Sequence, residues 1–183
     1  MIKVRPLGLE GVFEIIPEKF GDERGYFSET YNRAKLAERG IDIEFVQDNQ
    51  SYSARKGVLR GLHYQLPPRS QDKLVRVLRG RIFDVAVDIR PTSPTFGRWV
   101  GLELSDEKWN QIWVPRGFAH GFVTLEEHTI VAYKVSDYYS PEHDRGIRYD
   151  DPEIGIEWPI EGIEVQLSQK DKEAPLLRNS ETF

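Results

Sequence analysis

The chain has 183 residues and no cysteine, and its 25 basic and 30 acidic residues give a formal net charge of −5. This length predicts one domain over residues 1–183, and a hydrophobic content of 39% is enough for a packed core, which excludes wholesale disorder. The composition excludes disulfide scaffolds, thiolate zinc sites and cysteine nucleophiles, and the acidic balance disfavours nucleic-acid binding but permits a local basic site for an anionic small ligand.

The chain contains no signal for membrane insertion or secretion. Residues 1–6 are not followed by the long apolar run of a secretory signal. No segment approaches the about 20 apolar residues of a membrane span. Even the most apolar stretch, residues 82–89, is interrupted by Asp84 and Asp88. We therefore expect a cytoplasmic protein without membrane contact.

The predicted elements are mostly strands. Residues 26–31 are aromatic and β-branched, which favours a strand. Asn32 can cap a short helix over residues 33–39, and Gly40 ends it. The predicted strands that follow cover residues 45–52, 57–65, 74–78, 82–89, 99–104, 111–114, 117–124 and 129–135.

Short strands at this spacing predict an all-β fold, an antiparallel sandwich or barrel with few short helices. Turn signals separate the strands at residues 67–68, 91–94, 105–106 and 125–127. The strands at 74–78 and 82–89 are expected to be joined tightly through residues 79–81. Residues 150–183, with three prolines, are expected to form a tail packed over the body of the domain.

Several predicted strands carry polar residues at positions where a solid core is expected. These are Arg60, His63, Lys73, Arg76, Gln47 and Asn49. A buried polar group without a partner is costly, so a filled apolar interior does not accommodate them. Two arrangements do: a barrel with a wet ligand cavity, or a solvated outer face. Patterning alone leaves both open.

The four histidines fall into two groups. His128 and His143 lie among charged, turn-like residues and are assigned to the surface. His63 and His120 lie in strand-like segments with glycine, where the backbone can bend tightly or approach a ligand. The segment Pro115-x-Gly117-x-x-His120 resembles the second motif of cupins, and residues 57–80 resemble the first. This resemblance implies a cupin-type antiparallel β-barrel or jelly roll.

The metal site of cupins is not complete in this sequence. Cupins usually provide two histidines one residue apart, but His63 is followed by Tyr64 and Gln65. The position where a glutamate ligand is expected lies near Lys73, whose charge repels a divalent cation. We therefore expect no metal ion.

A closer resemblance covers residues 20–176. The matching segments are Phe20-x-Asp22-x-Arg24, Phe27-x-Glu29, Gln47-x-Asn49-x-Ser51, Arg60-x-x-His63, Lys73-x-x-Arg76, Tyr133-Lys134, Tyr138-Tyr139 and Lys170-Asp171. Together they resemble the dTDP-4-dehydrorhamnose 3,5-epimerase family. The resemblance implies a homodimer without a cofactor. It also implies inversion of C3 and C5 in dTDP-4-dehydro-6-deoxy-D-glucose, giving dTDP-4-dehydro-L-rhamnose, a precursor of L-rhamnose.

The resemblance also assigns catalytic roles that suit the chemistry. Proton abstraction beside a ketone needs a base, an acid on the other face and a positive group near the ketone oxygen. His63 resembles the base, with Asp171 as its orienting carboxylate. Tyr133 resembles the acid, since a phenol keeps its proton at neutral pH. Lys73 resembles the cation that stabilises the enolate.

The remaining candidate residues are assigned to the nucleotide sugar by the same resemblance. Arg24, Arg60 and Lys170 suit the diphosphate side. The other candidates are Glu29, Gln47 and Asn49 for the thymine edge and nearby groups, Tyr139 for stacking on thymine, and His120 and Asp144 for the sugar. In a dimer, Arg24 and Glu29 are expected to act from the neighbouring subunit.

Three alternatives remain at this level. A C5-only or C3-only epimerase acting on a dTDP-4-keto sugar would use the same base and nucleotide contacts. A metal-dependent cupin oxygenase or isomerase is disfavoured by Gln65. A cupin that only binds nucleotide sugars is disfavoured by the joint presence of His63, Tyr133 and Asp171, since a binder needs neither acid nor base.

Overall fold

The computed structural model describes residues 2–183, which form strands and a few short helices. The strands are β1 (Lys3–Pro6), β2 (Phe13–Ile16), β3 (Phe20–Asp22), β4 (Gly25–Phe27), β5 (Gln47–Ser53), β6 (Leu59–Gln65), β7 (Lys73–Arg79), β8 (Arg81–Asp88), β9 (Trp99–Ser105), β10 (Gln111–Val114), β11 (Phe118–Thr124), β12 (Thr129–Val135) and β13 (Asp144–Gly146). The helices are α1 (Arg33–Ala37), α2 (Gln169–Lys172) and a 3₁₀ turn at Leu177–Asn179. Within residues 2–183, no helix has the length and apolar character needed to cross a membrane.

Two antiparallel sheets make up the body of the protein. One has six strands in the order β1-β2-β10-β7-β12-β5, and the other has five in the order β13-β6-β11-β8-β9. The short β3-β4 hairpin stands apart from both. The predicted all-β architecture with few helices is thereby confirmed. The helix predicted after Asn32 is confirmed too, since the Asn32 side chain accepts a hydrogen bond from the Lys35 N–H.

The main core lies between the two sheets. Val75 and Val77 of β7 and Val131 of β12 pack against Ile82 and Ala86 of β8. Because side chains alternate along a strand, Lys73 lies on the same face of β7 as these two valines. Polar side chains therefore extend the inner face that carries the core. This arrangement places charged groups between the sheets. The sequence alone allowed either this internal position or a solvated outer face.

The structure confirms the tight connection predicted through residues 79–81 and corrects two other local predictions. The strands β7 and β8 are joined tightly at Gly80, but they do not pair with each other, because the chain passes from one sheet to the other. Of the strand predicted over residues 26–31, only the beginning is a strand, β4, and the chain leaves it at Ser28. The strands β1, β2, β3 and β13 have only three or four residues each, too few for an alternation signal.

The C-terminal residues pack against the five-stranded sheet. Ile154 and Leu177 join a core cluster with Leu62 and Ile147. The buried Asp151 carboxylate accepts a hydrogen bond from the Leu177 N–H at 2.6 Å. An isolated bridge between Val58 and Gln166 fixes the segment that leads into α2. These contacts bring α2 beside β6.

Candidate functional site

Two adjoining cavities open between the sheets. Seven of the predicted site residues line the larger one, which has a volume of about 450 Å³: Arg60, His63, Lys73, His120, Tyr133, Lys170 and Asp171. Gln47, Asn49, Tyr139 and Asp144 line the smaller one, of about 230 Å³, together with four residues of the first group. The structure therefore brings eleven of the predicted residues together.

His63 and Asp171 form a direct pair, although 108 positions separate them in the chain. His63 Nε2 lies 2.5 Å from Asp171 Oδ1. The Ser168 side chain caps α2 by accepting the Asp171 N–H and so positions the carboxylate. Burial raises the pKa of Asp171, but the hydrogen bond from His63, with bonds from Ser168 and Gly61, lowers it below its usual range. An ionised carboxylate only accepts, so the shared proton belongs to Nε2 and Nδ1 of His63 keeps its lone pair.

Lys73 provides a buried positive charge beside this pair. Its side chain is 8% exposed, and Nζ donates to the His63 carbonyl oxygen at 3.3 Å. Burial lowers the pKa of Lys73 to about 8, while the charges of Asp144 and Asp84 act in the opposite direction. The ammonium group therefore remains mostly charged at pH 7 and lines the cavity at a buried position, where a fixed cation stabilises negative charge more strongly than it does in water.

Tyr133 approaches the cavity from the sheet opposite His63. It lies on β12 of the six-stranded sheet, whereas His63 lies on β6 of the five-stranded sheet. Burial raises the pKa of Tyr133 above its ordinary value, and Arg60 opposes this effect. The phenol therefore keeps its proton at neutral pH. The His63 imidazole and the Tyr133 phenol thus stand on different walls of one cavity.

The smaller cavity is lined by amide, carboxylate and tyrosine side chains, which can form hydrogen bonds and stacking contacts with a polar ring. Gln47 accepts the Tyr139 N–H at 3.0 Å, and its amide donates to Asn49 at 2.8 Å. The Tyr139 ring is 57% exposed at this edge. Asp144 forms an ion pair with Lys170 and accepts from the Tyr139 hydroxyl. These contacts hold the polar edge of the cavity in place and leave an aromatic face open.

Arg24 and Glu29 lie outside both cavities of this chain. Arg24, in the exposed β3-β4 turn, forms an ion pair with Asp22, and Glu29 pairs with Lys35 at 2.8 Å. The single chain therefore does not bring these two predicted residues to the site.

The geometry agrees with the comparisons with known proteins. The sequence model of the dTDP-4-dehydrorhamnose 3,5-epimerase family matches residues 6–179. The chain belongs to this family. Relatives named dTDP-4-dehydrorhamnose 3,5-epimerase include those of Methanothermobacter thermautotrophicus, 51% identical over 96% of this chain and 94% of the relative, and Pseudomonas aeruginosa, 48% identical over 100% and 99%.

Solved structures of the epimerase family show the same fold. The enzyme of Legionella pneumophila, described in complex with dTDP-4-keto-L-rhamnose, has a TM-score of 0.95 and 49% identity over 99% of this chain and 95% of its own. The Bacillus anthracis enzyme, described with TDP and PPi bound, has a TM-score of 0.93 and 48% identity over 96% and 99%. The family resemblance and the cupin-type fold are confirmed.

Sequence reasoning missed one acidic residue of this epimerase-family site. His120 is buried, and its Nε2 lies 2.9 Å from both carboxylate oxygens of Asp84. In the sequence, Asp84 counted only as an interruption of an apolar run. The available signal was physical, because a carboxylate in the middle of a buried strand requires a partner.

The other two histidines lie outside both cavities, whereas Gln65 lines the smaller one. His128 is exposed and stacks on Tyr52, as the surface prediction states. His143 is half-buried and bonded to Ser140, so the surface prediction is only partly right. The Gln65 amide donates to two backbone carbonyls and accepts from the Ser140 N–H, which is a structural role. Over residues 2–183, no group of three potential ligands stands close enough to hold a metal ion.

Proposed function

We propose that this epimerase-family chain converts dTDP-4-dehydro-6-deoxy-D-glucose to dTDP-4-dehydro-L-rhamnose by inverting C3 and C5, as its relatives are named to do. The observation that carries the proposal is the grouping of the His63–Asp171 pair, Lys73 and Tyr133 around one cavity. This set supplies a base, a cation and a proton donor, which are the groups that epimerisation beside a ketone requires.

Each epimerisation follows the same proton path. The lone pair on His63 Nδ1 takes the proton from the carbon beside the ketone, and the electron pair of that bond moves to the ketone oxygen. Lys73 stabilises the enolate oxygen, and Asp171 stabilises the imidazolium. The Tyr133 hydroxyl then protonates the carbon from the opposite face, and solvent restores the two groups. Proton transfer of this kind uses only side chains of the protein and needs no cofactor.

The nucleotide is held by the polar edge of the site. Arg60 and Lys170 provide positive charge for the diphosphate, since guanidinium and ammonium groups bind phosphate oxygens well. The exposed Tyr139 ring offers a stacking face for thymine, and Gln47 and Asn49 offer hydrogen bonds at its edge. The solved relatives described with dTDP-4-keto-L-rhamnose and with TDP support this assignment.

The functional unit in this proposal is a homodimer of one-domain chains in which Arg24 and Glu29 complete the site of the neighbouring subunit. Both residues lie outside the cavities of their own chain. The β3-β4 hairpin beside them exposes Phe20, Tyr26 and Phe27, with 56–70% of each exposed. An exposed aromatic cluster of this kind favours association. A cytoplasmic location, which the absence of cysteine favours, is part of the same proposal.

Mixing two inactive variants tests the shared site. Arg24→Ala and His63→Ala chains, each inactive alone, are unfolded together and refolded. With random pairing, half of the dimers are mixed and each mixed dimer has one intact site, so about a quarter of wild-type activity returns. No recovery of activity, or a monomer by light scattering, contradicts the dimer proposal.

An NMR assay in D₂O with dTDP-4-dehydro-6-deoxy-D-glucose tests the reaction. We expect deuterium at both C3 and C5 and formation of the L-rhamno product. Exchange at one carbon only would identify a single-centre epimerase, as in the relative from Streptomyces niveus named dTDP-4-dehydrorhamnose 3-epimerase. Binding of the nucleotide sugar without exchange would overturn the enzymatic proposal.

A further inference from the structure

Asp84 is a fully buried carboxylate that reaches the cavity only through another residue. It lies on β8 with 0% exposure, and both carboxylate oxygens are 2.9 Å from His120 Nε2. Within residues 2–183, no other side chain or backbone group donates a hydrogen bond to the two oxygens. Since His120 itself lines the larger cavity, Asp84 lies directly behind the wall of the site.

A second buried aspartate on the same strand shows what a purely structural carboxylate looks like. Asp88 is also 0% exposed, but it accepts hydrogen bonds from Arg90, Ser93 and Thr95 in the turn that follows β8. These donors hold the pKa of Asp88 at about 2 even though burial raises it. Asp84 has no such set of donors, and within residues 2–183 His120 is its only hydrogen-bond partner.

The bond determines which nitrogen of His120 carries a proton. Burial raises the pKa of the Asp84 carboxyl, while the charge and hydrogen bond of His120 and the charge of Lys73 oppose this effect. In its ionised form the carboxylate can only accept, so Nε2 of His120 is then the donor. Nδ1 has no hydrogen-bond partner within residues 2–183 and remains available to a ligand in the cavity. His120 also stands directly opposite His63 in the pairing of β11 and β6, so the two side chains lie side by side and both line the larger cavity.

Asp84 also acts on Lys73 through its charge. Burial lowers the pKa of Lys73 to about 8, and the carboxylates of Asp144 and Asp84 limit this effect. The groups that face Lys73 from the surrounding elements are His63 of β6, Asp84 of β8, His120 of β11, Tyr133 of β12, Asp144 of β13 and Lys170 of α2. Asp84 is the only carboxylate of this set that lies within the sheet and away from solvent.

We propose that Asp84 is a positioning residue for the epimerisation. It fixes the proton of His120 on Nε2, so that Nδ1 accepts a hydrogen bond from a hydroxyl group of the sugar, and it supports the positive charge of Lys73. The inference rests on the proposed function and deepens it. Asp84 does not touch the substrate, because it has no exposed surface.

The variant Asp84→Asn tests both parts. The Asn amide donates to Nε2, which forces the His120 proton onto Nδ1 without changing the size of the side chain. We expect kcat/KM for the keto sugar to fall about 10- to 100-fold, the usual loss for a residue that orients a site group. Affinity for dTDP alone should stay unchanged. The alkaline limb of the kcat/KM profile should move to lower pH, because Lys73 loses a supporting charge.

Asp88→Asn is the matched control. It removes the same charge from the same strand, so it should lower the thermal unfolding midpoint while kcat/KM and its pH profile stay at wild-type values. Equal behaviour of the two variants would overturn the proposal. So would an Asp84→Asn enzyme with wild-type kcat/KM and an unchanged alkaline limb.

A spectroscopic readout on the wild-type protein does not depend on activity or on folding of a variant. In ¹⁵N-labelled protein, His120 should show a proton on Nε2, and in Asp84→Asn the proton should appear on Nδ1. A wild-type Nε2 without a proton would overturn the role of Asp84 even if the wild-type enzyme exchanges deuterium at C3 and C5. Absence of that exchange instead rejects the proposed function and leaves the tautomer result intact.

Discussion

Replacing Lys73 with methionine should make the folded protein more stable and the enzyme nearly inactive. The pKa of Lys73 falls from 10.5 to about 8 on burial, and each pKa unit corresponds to 1.36 kcal/mol, so keeping this charge at pH 7 costs about 3 kcal/mol. The lost hydrogen bond from Nζ to the His63 carbonyl oxygen offsets about 1 kcal/mol. Lys73→Met should therefore gain about 2 kcal/mol of unfolding free energy at pH 7.

The pH dependence of this gain follows from the direction of the pKa change. Because the folded-state pKa of Lys73 lies below the unfolded value, the folded protein binds fewer protons between about pH 8 and 10.5. Wild-type stability therefore rises with pH across this interval relative to Lys73→Met, and the advantage of the variant disappears. Other groups titrate in both the wild type and the variant, so the difference between their unfolding free energies reports on Lys73 alone.

Urea unfolding followed by tryptophan fluorescence, at pH 7 and at pH 10, measures both effects. Turnover of the keto sugar should fall by about 10²- to 10³-fold, the loss expected when a fixed group opposite a developing oxyanion is removed. A variant that is less stable than wild type at pH 7, with a difference that does not change with pH, would refute the reasoning. It would mean that contacts within the fold fully compensate the buried ammonium.

Three further predictions concern the base, the acid and the packing around them. His63→Ala should lose about 10²- to 10⁴-fold in turnover while calorimetry shows unchanged dTDP affinity, and near-normal turnover would reject His63 as the base. Tyr133→Phe keeps the ring and removes the hydroxyl proton. NMR in D₂O should therefore show that deuterium exchange at the carbon persists while inversion of the carbon becomes slower. An unchanged rate of inversion would mean that Tyr133 only packs in the structure. Gly61→Ala places a Cβ 2.5 Å from the Gly121 Cα at a φ of 132°, so thermal unfolding should show a loss of more than about 1 kcal/mol, and a wild-type midpoint would contradict this close approach.

Features that depend only on neighbouring residues could be predicted from the sequence. Alternation along residues 45–52 placed Gln47 and Asn49 on one face, and both line the smaller cavity. The cap at Asn32 marked the start of α1. The residue types of the site were recognisable because they occur in motifs, and eleven of them meet at the cavities.

Only the tertiary structure decided which distant residues meet. The His63–Asp171 pair depends on the C-terminal segment folding back over β6, and the bond between Asp84 and His120 depends on the pairing of β8 with β11. The alternation of side chains along a strand shows which residues share one face of that strand. It does not show which strand pairs with it or which sheet packs against it. Whether the polar residues faced solvent or a cavity was therefore settled only when two sheets packed together. The sequence by itself determined the longer strands, the helix cap and the chemical groups available, because those depend on neighbours in the chain. The short strands β1, β2, β3 and β13 and the arrangement of the groups depend on packing between residues far apart in it.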